Sequence, residues 1–401
     1  MPSWKRFKSQ HMAVQQVSEQ KKYRIGISGT GFIASGLMLA LKYHPNLVVS
    51  RVLTRRPVDQ VSAPIAKALL TNTVEDLIKE SDLVVECSGD VLHGTEVVDA
   101  VLRSGLPVVT MNSELQTVSG TMLSTLGTLV EAEGDQPGSL AALHREVVDM
   151  GFEPIVYGNI KRFLNLSPTR EDMEYWSKRQ GISMDQVTAF TDGTKVQIEQ
   201  ALVANGLGAT IVCRNLSGIP CKDLEDGAQR LGEIADGIGQ PISDYVLSSN
   251  APAGVFIVAK HASEQVPYLE YLKLGKGPYY VIVRPYHLCH LEIPRTILAV
   301  LRGDDRVRFN NGTQPTVQVV AVAKRALAKG EIIKRGLGGF DVRGEAVKIK
   351  NCPEGVPIGL LQEAEIIRPV AEGQIVTFAD VELPKSKALA FWKATLEKVT
   401  A

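Results

Sequence analysis

Asp192-Gly193-Thr194-Lys195 opens a segment whose spacing predicts a helix closing at Asn205-Gly206. Within it, Lys195 and Glu199 stand one turn apart on one face. A lysine beside a carboxylate can donate a hydrogen bond or a proton to a carbonyl oxygen that is receiving a hydride. Glu199 or Asp192, the latter close to the N-terminal cap, is expected to orient the lysine. The same residues also read as an ordinary helix-surface ion pair, although such pairs usually put the glutamate first, the order the helix dipole favours.

Two further segments carry polar chemistry. In Pro285-Tyr286-His287-Leu288-Cys289-His290-Leu291-Glu292, the residues His287, Cys289, His290 and Glu292 can in principle ligate a metal. The apolar spacing of Leu288, Leu291, Ile293, Ile297 and Val300 predicts instead a helix beginning here, with Arg284 and His287 as substrate contacts or as buried structural groups. Gly158-Asn159-Ile160-Lys161-Arg162 follows a predicted strand and presents two adjacent cations, suited to a carboxylate or phosphate or simply an exposed loop. Neither Gly-x-Ser-x-Gly nor a Walker loop occurs, so serine-hydrolase and P-loop chemistry lack support.

A cofactor signature precedes these groups. Gly29-x-Gly31-x-x-Ala34, with Thr30, Phe32 and Ile33 between, follows the apolar run Arg24–Ser28 and opens a predicted helix. Gly29 allows the tight turn, Gly31 lets backbone approach a pyrophosphate, and Ala34 keeps helix and strand close. The helix N-terminus supplies amide donors and positive potential. The next predicted strand, Leu47–Leu53, ends in Thr54-Arg55-Arg56 where an acid would bind the ribose hydroxyl of NAD. A hydroxyl and two guanidinium groups suit a 2′-phosphate, so NADPH is expected over NADH.

The elements that must hold these groups alternate at first. Apolar runs at 47–53, 83–87 and 106–110 separated by helical segments predict an α/β domain of the Rossmann type, with a parallel sheet covered on both faces. After Met150 the repeat is lost and a mixed α+β substrate domain is expected. Asn310–Pro315 reads as a hinge, followed by short β runs broken by glycines and an amphipathic helix over Lys385–Val399. The expected division is a flexible tail at 1–22, a dinucleotide domain at 23–150, a substrate domain at 151–312 and a small β-rich module at 313–401. The 401 residues carry 44 Lys plus Arg and 44 Asp plus Glu, so no net field steers the chain to nucleic acid or membrane. No apolar run reaches the length of a membrane span, and five scattered cysteines without Cys-x-x-Cys read as reduced thiols of a cytoplasmic protein.

Taken together, these blocks resemble the homoserine-dehydrogenase-like oxidoreductases that carry a C-terminal SAF domain, and among them the 1-deoxy-D-xylulose 5-phosphate reductoisomerase-like proteins. The resemblance runs from about Tyr23 to Leu383. It rests on Gly29–Ala34, Glu86–Gly89, Val108–Glu114, Gly134–Gly138, Asp192–Lys195 through Asn205-Gly206, and Gly277–Tyr279 through His290. It implies an NADPH domain, a catalytic and dimerising domain, a SAF module and a homodimer. Its matched blocks add Ser88, Gly89 and Asn112 to the cofactor contacts and Asn205 to the substrate contacts. Asp135 and Gln136 enter through it alone. One departure stands out: where homoserine dehydrogenases have Ala-Asn-Lys, with a lysine that works in hydride transfer, this chain has Met111-Asn112-Ser113. The reductoisomerase reaction usually involves a divalent metal. The expected activity is NADPH-dependent reduction of a small, polar, anionic hydroxy-carbonyl compound. Homoserine dehydrogenase activity and a non-catalytic NADPH- or carbohydrate-binding role are the alternatives.

Overall fold

The computed structural model describes residues 21–400, so the predicted tail at 1–22 lies outside the described residues apart from Lys21 and Lys22. Six short strands, β1 (Tyr23–Ser28), β2 (Leu47–Leu53), β3 (Leu70–Thr71), β4 (Leu83–Glu86), β5 (Val108–Thr110) and β6 (Leu129–Glu131), form a parallel sheet. Their order, β3-β2-β1-β4-β5-β6, is that of the doubly wound dinucleotide-binding fold. Both faces are covered, which is why the strands read as continuous apolar runs. Leu83 and Val85 face Leu37, Met38 and Leu41 on one side, while Val84 faces Val97, Val98 and Val101 on the other.

A second sheet of five strands follows: β7 (Glu153–Lys161), β8 (Ile219–Pro220), β9 (Ile242–Leu247), β10 (Gly254–Lys260) and β11 (Tyr280–Arg284), in the order β11-β10-β7-β9-β8. The antiparallel β10 and β11 make it mixed. The helix Gln136–Asp149, expected at the end of the first domain, packs Leu140, Leu143 and Val147 on this second sheet. Conversely, the helix Ile293–Leu301 returns to the first sheet, burying Ile293 and Ile297 beside Ile25 and Val109. The two sheets are therefore tied by an exchange of helices.

Beyond the turn at Asn310–Pro315, β12 (Val317–Ala323) pairs with β14 (Val342–Lys348), while β13 (Ile332–Arg335), β15 (Gln362–Ile366) and β16 (Val381–Glu382) form a three-stranded sheet. The last helix, Lys387–Thr400, folds back on the helix Val91–Arg103, with Lys387 Nζ 2.7 Å from Asp99 and Trp392 fully buried.

Where these three parts meet lies the helix Thr194–Leu207, buried along nearly its whole length. Gly193 and Gly208, at φ +82° and +68°, cap its two ends in left-handed conformations. Its polar side chains each find a different neighbour. Gln200 Nε2 donates to Tyr157 O and Asp244 O of the second sheet, while Gln197 and Thr194 accept from the amides of Ala346 and Gly344 on β14. Lys195 faces a third direction, toward the C-terminal edge of the first sheet, while Glu199 turns to the end of β7. No helix among the described residues is long and apolar enough to cross a membrane.

Candidate active site

The crevice at the C-terminal ends of β1, β2 and β4 is built for close backbone approach. Gly29 has φ +116°, and a Cβ there would lie 2.8 Å from Cys87 O, so no other residue fits. At Gly31 and Gly89 the space a Cβ would take is open. Phe32 begins the following helix and is exposed, while Ala34 is fully buried against the strand, as the glycine spacing predicts. Thr54 is buried and accepts from the Arg56 amide, and Arg56 Nη2 donates to Thr30 Oγ1 at 2.8 Å across the glycine turn. Arg55 pairs with Asp90. Asn112 caps the turn after β5 through its Oδ1, and the Ser88 amide donates to Glu86 at 2.8 Å. The candidate cofactor residues thus gather on one edge.

Lys195 reaches the adjoining space from the buried helix. Its Nζ lies 2.8 Å from Ser113 Oγ, 3.1 Å from Glu114 Oε1 and 3.1 Å from Asp135 Oδ2, with the residue 8% exposed. The expected pairing with Glu199 across one helical turn is not a direct contact. Glu199 Oε2 accepts from Asn159 Nδ2 at 2.8 Å and from Lys161 Nζ at 3.1 Å. With its amide nitrogen turned to the carboxylates, Gln136 donates to Asp135 Oδ1 and to Glu199 Oε1 (3.2 Å), linking the two halves.

Burial opposes the charge on Lys195, but Asp135, Glu114 and Glu199 outweigh it and hold the amine well above its ordinary range. It is an ammonium, a donor rather than a base. Burial likewise works on Asp135, where Lys195, His287 and Lys161 overturn it and keep the carboxyl below its usual range. On Glu199 burial prevails over Lys161 and the carboxyl is raised. Glu131, at the end of β6, is 2% exposed, neither oxygen has a partner, and burial with nearby Asp135 pushes it well above the usual carboxylate range.

Three sequence expectations are corrected. Asp192 does not orient Lys195: its carboxylate accepts from the Thr194 amide and from Lys324 Nζ at 2.5 Å, so it anchors the C-terminal module to the helix start. Asn205 spends its amide on Asn311, Val317 O and the amides of Thr316 and Val317, a hinge function that leaves nothing for substrate. Arg284 is buried, with Nη2 3.3 Å from Glu292 and 3.6 Å from Glu133, and belongs to a structural ion network. His287, by contrast, lies close enough to stabilise the Asp135 charge.

The four candidate metal ligands diverge. Cys289 faces His287 at 3.9 Å, His290 packs its ring on Gly36 and Phe32 of the glycine helix, and Glu292 turns to Arg284. Among the described residues no group of three or more His, Cys, Asp or Glu is arranged to hold a metal ion. The Cys289 thiol is pushed up to about 12 by burial and carries no reactive thiolate. Its amide donates to Gly134 O at 3.0 Å, so this loop ties the glycine helix to the Asp135 turn. Sequence reasoning passed over Glu114 and Glu131 as site residues. Both adjoin the C-terminal ends of parallel strands, where such sheets bind ligands, and that positional rule singles them out.

Two family models match parts of the chain. The model of the homoserine dehydrogenase NAD-binding domain matches residues 29–136, and that of the oxidoreductase DRL catalytic domain matches residues 134–293. Similar solved structures include a Staphylococcus aureus homoserine dehydrogenase, 14% identical with TM-score 0.39 over 83% of this chain and 95% of that one. A hyperthermophilic archaeal homoserine dehydrogenase in complex with NADPH is 14% identical, with TM-score 0.41 over 72% of this chain and 100% of the other. The UDP-N-acetylglucosamine 3-dehydrogenase GnnA from Acidithiobacillus ferrooxidans is 12% identical, with TM-score 0.41 over 72% and 92%. The search of curated proteins found no match. On the family matches, the chain is an NAD(P)-dependent oxidoreductase with a homoserine-dehydrogenase-like dinucleotide domain.

Proposed function

We propose that this NAD(P)-dependent oxidoreductase prefers NADPH and reduces the carbonyl of a small, polar, anionic hydroxy-carbonyl compound, with 1-deoxy-D-xylulose 5-phosphate as the first candidate. The observation that carries the reading is the buried Lys195 ammonium, clamped by Ser113, Glu114 and Asp135 beside the dinucleotide crevice. The bare backbone at Gly29, Gly31 and Gly89 fits a dinucleotide, which Gly29–Ala34, Thr54–Arg56, Ser88, Gly89 and Asn112 would hold. Arg56 over Thr30, with no acid at the end of β2, supports the 2′-phosphate. When bound, the dinucleotide supplies a hydride.

The chain supplies the rest. Lys195 donates to the substrate oxygen as negative charge develops there, exchanging its bond to the Ser113 hydroxyl for one to the substrate while the two carboxylates keep it in place. Glu199, whose carboxyl burial raises, accepts from Lys161, and Lys161 is the cation placed for the anionic end. His287 stands beside Asp135 as a further polar contact. The C-terminal module, in this reading the SAF-like unit, holds the helix that carries Lys195, and a homodimer is the assembly the resemblance implies.

One contact favours a second reading. Ser113 stands at the lysine position of homoserine dehydrogenases, yet its hydroxyl accepts from Lys195, so an ammonium group reaches the same place from another element. Reduction of aspartate semialdehyde is therefore tested beside the first substrate. NADPH consumption is measured with each compound, with and without magnesium or manganese. Saturable turnover on 1-deoxy-D-xylulose 5-phosphate supports the first reading, and turnover only on aspartate semialdehyde replaces it with the second. NADPH binding without turnover on either removes both substrates, and no binding overturns the cofactor reading.

A further inference from the structure

The charges at the mouth of the dinucleotide crevice are already paired with one another. β2, β1 and β4 are neighbours in the sheet, so a side chain following β2 meets one following β4 only across the C-terminal end of β1. Arg55 and Asp90 make that crossing: Nη1 lies 2.9 Å from Oδ2, over the Gly29–Gly31 turn. With strands about 4.8 Å apart, the bridge spans an opening of roughly 10 Å. Its two ends differ in character. Asp90 is 8% exposed on the side chain, and its other oxygen caps the helix Val91–Arg103 by accepting from the His93 amide. The Arg55 side chain is 58% exposed, and Asp90 is its ion-pair partner. Burial works against the Asp90 charge, but the His93 amide and Arg55, with Arg335 farther off, keep the carboxyl below its usual range.

A third arginine comes from outside the dinucleotide domain. Arg335, at the end of β13, donates from Nη2 to Gly89 O at 3.2 Å and from Nη1 to Asp185 at 3.1 Å. Gly89 has φ +64° with open space on its Cβ side, so the C-terminal module braces the loop after β4 without filling the crevice. Arg55, Arg56 and Arg335 thus surround a site whose resident anion is Asp90.

We propose that the Asp90 carboxylate is a built-in stand-in for the cofactor's 2′-phosphate: it holds Arg55 across the crevice mouth and yields it to NADPH on binding. The inference rests on the dinucleotide reading above and adds the residue that sets its selectivity. Arg55 follows β2, the strand whose end reads the 2′ position of the ribose. A phosphate there competes with Asp90 for the guanidinium, whereas the 2′-hydroxyl of NADH has no charge with which to do so. An ion pair with one largely exposed partner is weak, which suits a strap that a ligand must displace.

The test is the dissociation constant of NADPH and of NADH, measured by calorimetry on the full chain without substrate, for wild type, Asp90→Asn, Arg55→Met and the double variant. Asparagine caps helices as well as aspartate does, so Asp90→Asn removes the charge and keeps the helix start. Asp90→Asn is expected to tighten NADPH about threefold to fivefold and leave NADH within about twofold, since only the exposed pair is lost. Arg55→Met weakens NADPH by roughly tenfold, and in that background Asp90→Asn has no further effect, because the two residues act as one unit. Unchanged or weaker NADPH binding in Asp90→Asn overturns the proposal, as does an equal gain with Arg55 absent. A wild-type chain that binds neither dinucleotide instead overturns the cofactor reading itself, a result distinct from binding that ignores Asp90.

Discussion

The charges around Lys195 and those around Arg55 lie along the same sheet edge, yet they are built in opposite ways. Lys195 is buried, sits among Ser113, Glu114 and Asp135, and comes from a helix locked to two sheets. Arg55 and Arg56 come from a turn after β2, and the Arg55 side chain is largely in solvent. Charges taken out of water must be fully partnered during folding, and they then act without reorganising. Charges left in water hold weakly and can change partners. A proton donor needs the first property, and a cofactor entrance needs the second.

The rigid half can be broken at its anchor. Away from the reacting lysine itself, the largest effect is expected at Lys324, whose side chain is 5% exposed and pairs with Asp192 at 1%. Lys324→Met leaves the buried Asp192 carboxylate without its counter-charge and should destabilise the chain by about 3–5 kcal/mol in urea unfolding. A loss below ~1 kcal/mol would place this pair with the surface bridges and weaken the contrast.

The contrast sharpens with pH at Glu131. Its carboxyl is raised in the folded state, so the folded chain binds that proton more tightly than the unfolded chain does. The stability this brings is fully present below the ordinary carboxyl pKa and is lost as pH rises through the raised one. Glu131→Gln should therefore gain on wild type by up to about 1.4 kcal/mol per pH unit across that window. Parallel stability curves for the two proteins from pH 5 to 8 would show that Glu131 is not held this way. The smallest effect belongs to the exchangeable half. Arg56→Met should weaken NADPH by roughly fivefold with NADH and stability nearly unchanged, as for an exposed charge. Equal losses on both dinucleotides would take Arg56 away from the 2′-phosphate.

The same division explains what could be read from the chain before its structure. Gly29-x-Gly31-x-x-Ala34 and the arginines after β2 are local: their meaning depends on a strand, a turn and a helix within thirty residues. Lys195 was legible as a polar residue at a helix start, but its partners Ser113, Glu114 and Asp135 stand sixty or more positions away, in the segments that follow β5 and β6. The helix Thr194–Leu207 hides its role because it is buried all round, so no apolar stripe marks which face meets the site. Asp192 and Asn205 were misread, and Arg284 was left between two roles, for one reason. A buried polar side chain that pairs with another part of the fold has the same letter as one awaiting substrate. Only the geometry separates Asp192, spent on Lys324, from Asp135, spent on Lys195.

The most direct test mixes the NADPH-loaded protein with 1-deoxy-D-xylulose 5-phosphate, and in parallel with aspartate semialdehyde, and follows one turnover of NADPH oxidation in wild type and Lys195→Met. Removing a preorganised donor from a dry site should slow that turnover by about 10²–10³-fold or more, while NADPH affinity stays within about twofold, since Lys195 lies outside the crevice that holds the dinucleotide. Oxidation at the wild-type rate in the variant, with NADPH equally bound, would remove Lys195 from the chemistry and contradict the account at its centre.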